Sequence, residues 1–167
     1  MQRDKIEDPS SSDPLPKQAP FIVTLQSVNL SPPNPGNVLI CMSNIADHEI
    51  RMDNFALKNF ASVETSDGTV AAMNKAAIKN WEPENLKQAP AGFQGCCTET
   101  VKPRKALCGG IGLGVVYDLS RPGAYRVRMD RYDETDVMPG QKLGELPLVH
   151  SNWLTIFEPY TASSERR

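Results

Sequence analysis

A chain of 167 residues with 18 basic and 20 acidic side chains, net charge -2, has the length of one domain and no charge excess of either sign. Lys and Arg are dispersed, which argues against the clustered cationic stripe that phosphate-backbone binding requires, so nucleic acid is excluded as a partner. No apolar run approaches the roughly 18 residues of a membrane span, and the longest, such as Val38–Met42, are strand-sized.

Residues 1–19 are rich in Ser, Pro, Asp and Lys and lack apolar periodicity, so they read as a disordered N-terminal segment ahead of a domain at 20–160. Residues 161–167 read as a disordered tail. No apolar h-region lies in the first residues. The expected location is periplasmic or secreted if an upstream leader exists, and cytoplasmic otherwise.

In "FIVTLQ", Phe21, Val23 and Leu25 alternate with Ile22, Thr24 and Gln26, the period of a strand. "SPPNPG" breaks the chain, and "NVLICMSN" starts a second strand with Val38, Ile40 and Met42 on one face and Asn44 at its end. "IADHEIRM" fits a tight polar turn of a hairpin into a third strand. Asp67-Gly68 between two strand-capable runs is a hairpin signal, and "VAAMNKAAIKNW" after it fits either a strand or a short helix. Residues 82–105, with three prolines and two glycines, read as a long irregular connection. Tyr125, Val127 and Met129 then alternate with Arg126, Arg128 and Asp130, giving a strand with one apolar and one charged face. In "PLVHSNWLTIF" the apolar positions change phase, which predicts a β-bulge at Ser151 and Asn152. The pattern as a whole predicts an all-β, antiparallel immunoglobulin-like or fibronectin-like β-sandwich of about seven strands.

The landmarks Asn44, Asp67-Gly68, Pro122-Gly123-Ala124-Tyr125 and Ser151-Asn152, in this order, resemble a group of bacterial immunoglobulin-like β-sandwich proteins. That group, mostly uncharacterised, has a PG-x-Y penultimate strand and an SN-containing last strand. The resemblance implies envelope or secreted proteins, with a related-looking sandwich group that includes intracellular proteinase inhibitors, and it transfers no catalytic residue. Tyr125, just after the Arg121-Pro122-Gly123 turn, is placed to be a structural tyrosine corner.

Candidate chemistry is sparse. Cys96, Cys97 and Cys108 could join His48 or His150 at a metal, but adjacent cysteines do not have zinc-pair spacing. A disulfide from Cys108 to Cys96 or Cys97 competes with free thiols. "GGIGLG" resembles a phosphate-cradling loop, yet "VVYDLSRPG" after it predicts no helix to supply the amides, so a glycine-rich strand edge is expected. Asp130, Asp133, Glu134 and Asp136 lack the spacing of a calcium loop and read as a solvated turn. His150 and Ser151 are adjacent in a strand and point to opposite faces, so they cannot act as base and nucleophile. The expected protein is therefore not an enzyme and uses no cofactor or metal. It is a structural or interaction module binding an unknown protein partner through the 82–105 loop and the turns, with Arg126 and Arg128 as possible contacts. The alternatives are a loop-mediated protease inhibitor and, less favoured, a cysteine-centred enzyme or metal site.

Overall fold

The computed structural model describes residues 18–28, 36–53, 59–75, 77–78, 83–91 and 98–158. The expected disordered ends, apart from residues 18 and 19, and Cys96 and Cys97 lie outside the described residues. The chain is all-β, with three antiparallel sheets. Its strands are β1 (Phe21–Ser27), β2 (Asn37–Asn44), β3 (Ile50–Asp53), β4 (Asn59–Thr65), β5 (Thr98–Val101), β6 (Ala106–Gly112), β7 (Gly123–Tyr132), β8 (Leu148–His150) and β9 (Leu154–Glu158). Two short helices, α1 (Pro83–Gln88) and α2 (Leu113–Val116), and a 3-10 turn at Leu143–Glu145 interrupt them.

One sheet has the order β1-β2-β6, a second pairs β3 with β5, and the third centres on β7, with β4 on one side and β8 and β9 in succession on the other. The alternation seen in sequence becomes burial. Phe21, Val23 and Leu25 of β1, Val38, Ile40 and Met42 of β2, and Tyr125, Val127 and Met129 of β7 form one shared core. Their neighbours face outward, because successive strand residues point to opposite sides. Burying each such aliphatic side chain contributes about 1.5–3 kcal/mol, so the shared core is what presses the sheets together.

At the hairpin turn, Gly68 has φ +83°, a left-handed conformation that glycine adopts without a Cβ clash. The Thr65 amide closes the turn on the Thr69 carbonyl at 2.8 Å. Asp67 accepts from the Thr69 amide at 3.0 Å. The segment beyond this turn is neither one full strand nor one helix. Val70 bridges to Glu64 and Met73 to Tyr117, and only then do residues 75, 77 and 78 turn helical.

Several expectations are corrected. Cys108 is bonded to Cys41, not to Cys96 or Cys97. The two sit opposite one another in the antiparallel β2–β6 register, and register between strands distant in sequence leaves no local signal. The 82–105 segment is not irregular throughout, since it contains α1 and β5. The turn after Asn44 does not fold β3 back onto β2 but carries it to β5 in a separate sheet. One helical turn, α2, opens within "GGIGLG" at Leu113, and its first amide is taken up by the fold, since Leu113 donates to the Gly36 carbonyl at 2.8 Å. Nine strands are described instead of about seven, partly because the last one is split at the bulge.

Candidate functional site

The bulge organises a part of the surface where Arg, Trp, His and Asp side chains converge. Asp130 faces His150 and Val127 faces Leu154, so Arg128 and Met129 lie opposite three residues, Ser151, Asn152 and Trp153. That single extra residue decides where the indole goes. Continuing the β8 register would set Trp153 opposite Val127, a core position. The slip sets it opposite Arg128, on the outer face.

Polar bonds hold the bulge. The Ser151 amide donates to the Met129 carbonyl at 2.8 Å, and the Met129 amide donates to Ser151 Oγ at 2.9 Å. Asn152 reaches the edge of β1 in the opposing sheet, where its Oδ1 accepts from the Leu25 amide at 2.8 Å and its Nδ2 donates to the Leu25 carbonyl at 3.2 Å. Asn152 thus clasps the two sheets together, while Ser151 fixes the bulge against β7. The Ser151 hydroxyl donates to the Asn152 carbonyl at 2.7 Å. It is occupied by backbone and is not poised as a nucleophile.

On the outer face the Arg126 guanidinium carbon lies 4.7 Å and that of Arg128 5.0 Å from the centroid of the Trp153 ring. Both distances are within the range of cation–π attraction. Arg128 also pairs with Asp130 at 3.0 Å, and His150 Nδ1 lies 2.6 Å from the same carboxylate. Asp130 is 1% exposed, which corrects its reading as part of a solvated turn: the strand runs on through it, and Arg128 and His150 compensate its burial. Glu134 is likewise buried. Arg126 is exposed and has no ion pair among the described residues, although Glu64 is its register neighbour on β4. Phe157, opposite Ala124 on the same outer face, is 75% exposed. The two arginines are legible in the sequence as the charged face of their strand, whereas the outward placement of Trp153 and Phe157 follows from the one-residue slip in register.

Tyr125 is buried, and its hydroxyl donates to the Arg121 carbonyl at 2.8 Å, four residues upstream, as a corner tyrosine does. A wide cleft of about 1100 Å³ lies elsewhere, between Gln18–Pro20, the turn at residues 45–51 and residues 134–140. Its lining mixes His48, Glu49 and Arg51 with Glu134, Thr135 and Asp136, and the Thr135 hydroxyl donates to the Asp133 carboxylate. Among the described residues no group of three or more His, Cys, Asp or Glu side chains could hold a metal ion. No described helix is long and apolar enough to cross a membrane. The chain matches no family model, and a search of curated proteins finds no match.

Proposed function

We propose that this domain is a non-enzymatic interaction module, and that the outer face of the β4-β7-β9 sheet binds a protein partner offering acidic side chains. The observation that carries this reading is the pair of guanidinium groups stacked on one half-exposed indole, with an exposed phenylalanine further along the same face. Trp and Arg dominate binding hot spots because they combine large apolar area with directional donors. Here stacking on Trp153 restricts both arginines before any partner arrives, which lowers the ordering cost of binding. Arg126 donors are not engaged by a carboxylate of the described residues, so a carboxylate supplied from outside completes the arrangement.

The immunoglobulin-like reading belongs to the same proposal. It is supported by strand orders in which the first, second and sixth strands share one sheet and the fourth, seventh and last share another, and by the corner position of Tyr125. The resemblance to the bacterial group fits the positions of Asn44, Asp67-Gly68, Tyr125 and Ser151-Asn152, each of which has a structural task.

The test is affinity capture with the native domain and with Arg126→Glu and Trp153→Ala. Proteins retained by the native domain and lost with both variants support the proposal. An unchanged set of captured proteins overturns it. Titration into a panel of proteases separates the inhibitor reading, which requires stoichiometric loss of protease activity.

A further inference from the structure

β6 ends the β1-β2-β6 sheet, and among the described residues no strand pairs with its far side. The Asn44 amide donates to the Lys105 carbonyl at 2.9 Å, which sets the phase of the ladder. Bonded pairs alternate with non-bonded ones, so Leu107, Gly109 and Ile111 bond to β2. Cys41 and Cys108 fall on a non-bonded pair, in keeping with their 4.2 Å Cα separation. It follows that Ala106, Cys108 and Gly110 turn their backbone amides and carbonyls toward the open edge, whereas Gly112 offers only its amide, because as the N-cap of α2 its carbonyl accepts the first bond of that helix.

Strand edges of this kind are usually blunted by a charge, a proline, a bulge or a covering segment. From Ala106 through Tyr117 this chain has neither a charged residue nor a proline. Ala106, Cys108 and Gly110 are exposed, and Leu107 and Ile111 are only partly buried. Read outward from Gly109, the strand is also symmetric in character: Cys108 and Gly110 are small, Leu107 and Ile111 are large and apolar, and Ala106 and Gly112 are small again. A two-fold interface needs such a self-complementary patch, because each residue meets its counterpart across the axis.

We infer that β6 is where a second copy of this chain adds, antiparallel, about a two-fold axis at Gly109. In that register Cys108 exchanges backbone bonds with Gly110 of the second copy, and the Ala106 carbonyl accepts from the Gly112 amide of the second copy. Leu107 meets Ile111 of the second copy on the core side, covering the aliphatic area that each leaves partly open. No like charges are brought together, since the edge carries none. The pairing joins two three-stranded sheets into one of six strands. It lies on the sheet opposite the arginine face, so it stands independently of the proposed partner site.

Sedimentation velocity on the full chain tests this, with Gly110→Pro and Gly110→Lys as variants. A Cβ at Gly110 meets nothing within 4 Å, and its amide bonds to no strand in the monomer, so both replacements are compatible with the folded chain. The expected result is a native species of twice the monomer mass at tens of micromolar, reduced to a folded monomer by either variant. Amide exchange at Ala106, Cys108 and Gly110 is expected to slow as native protein concentration rises. A native chain that stays monomeric overturns the inference. So does a dimer that survives both variants, or one that runs at double mass on a non-reducing denaturing gel. If Gly110→Pro fails to fold by far-UV circular dichroism, Gly110→Lys decides.

Discussion

Asn44 is 1% exposed, and its amide group is fully used: Nδ2 donates to the carbonyls of His48 and Val101, each at 2.8 Å, and Oδ1 accepts from the Ala46 amide at 2.8 Å. One side chain therefore fixes the turn after β2 and ties it to β5. Replacing it by Ala leaves buried backbone groups without partners, so Asn44→Ala is expected to cost about 3 kcal/mol, measured as a lower urea midpoint. Tyr117 gives a prediction about pH. It is 4% exposed, its hydroxyl donates to the Ala61 carbonyl, and burial, with the Asp130 charge adding to it, pushes its pKa from 10.0 up to about 12. The folded state thus keeps the proton that the unfolded chain releases first. The stabilisation is complete below pH 10.0 and is lost as pH rises toward about 12. A loss of about 2 kcal/mol is expected across that window. Denaturation curves at stepped alkaline pH check it, and in Tyr117→Phe this part of the decline should disappear.

Among the elements, the last strand shows how a local irregularity carries out a global task. The bulge turns Trp153 outward and at the same moment offers Asn152 to the edge of β1, where it takes the place of a neighbouring strand at Leu25. Asn152→Ala is accordingly expected to open that edge, speeding amide exchange at Leu25 by about tenfold or more while β7–β9 pairing persists, as roughly 1–2 kcal/mol of local bonding is removed. The bulge was legible in the sequence because a one-residue slip shifts the phase of the apolar positions, and Val149, Leu154 and Ile156 record that shift. β1, β2 and β7 were legible for the same reason: each has one buried and one exposed face, and alternation encodes it. β5 was not, since "TETV" is four residues with a single buried side chain, Val101, and its strand character comes from pairing with Ile50–Asp53. The acidic stretch misled because composition alone cannot reveal a compensating partner. Asp130 is buried only because Arg128 and His150 reach it, and His150 arrives from a strand 20 residues on.

For the whole molecule, the Cys41–Cys108 bond raises the question of what the disulfide contributes to a domain that already has a core. The bonded residues are outward-facing on their strands, Cys41 buried and Cys108 exposed, and neither belongs to the cluster of side chains between the sheets. Their strands are also joined by a seven-residue ladder, so native contacts remain if the bond is cut. The bond therefore acts mainly on the unfolded chain, where it closes a loop spanning 67 residues. A loop of that length removes enough chain entropy to stabilise the fold by about 4 kcal/mol. Reduction, or the double replacement Cys41→Ala with Cys108→Ala, is expected to lower the free energy of unfolding by that amount while leaving the far-UV spectrum of the native state intact. The slope of the denaturation curve distinguishes this from a loss of native contacts. A crosslinked unfolded chain is more compact and exposes less surface, so the slope should rise when the bond is removed. A reduced protein that is less stable with an unchanged slope, or that loses its native spectrum, would place the effect of the bond in the folded sheet instead.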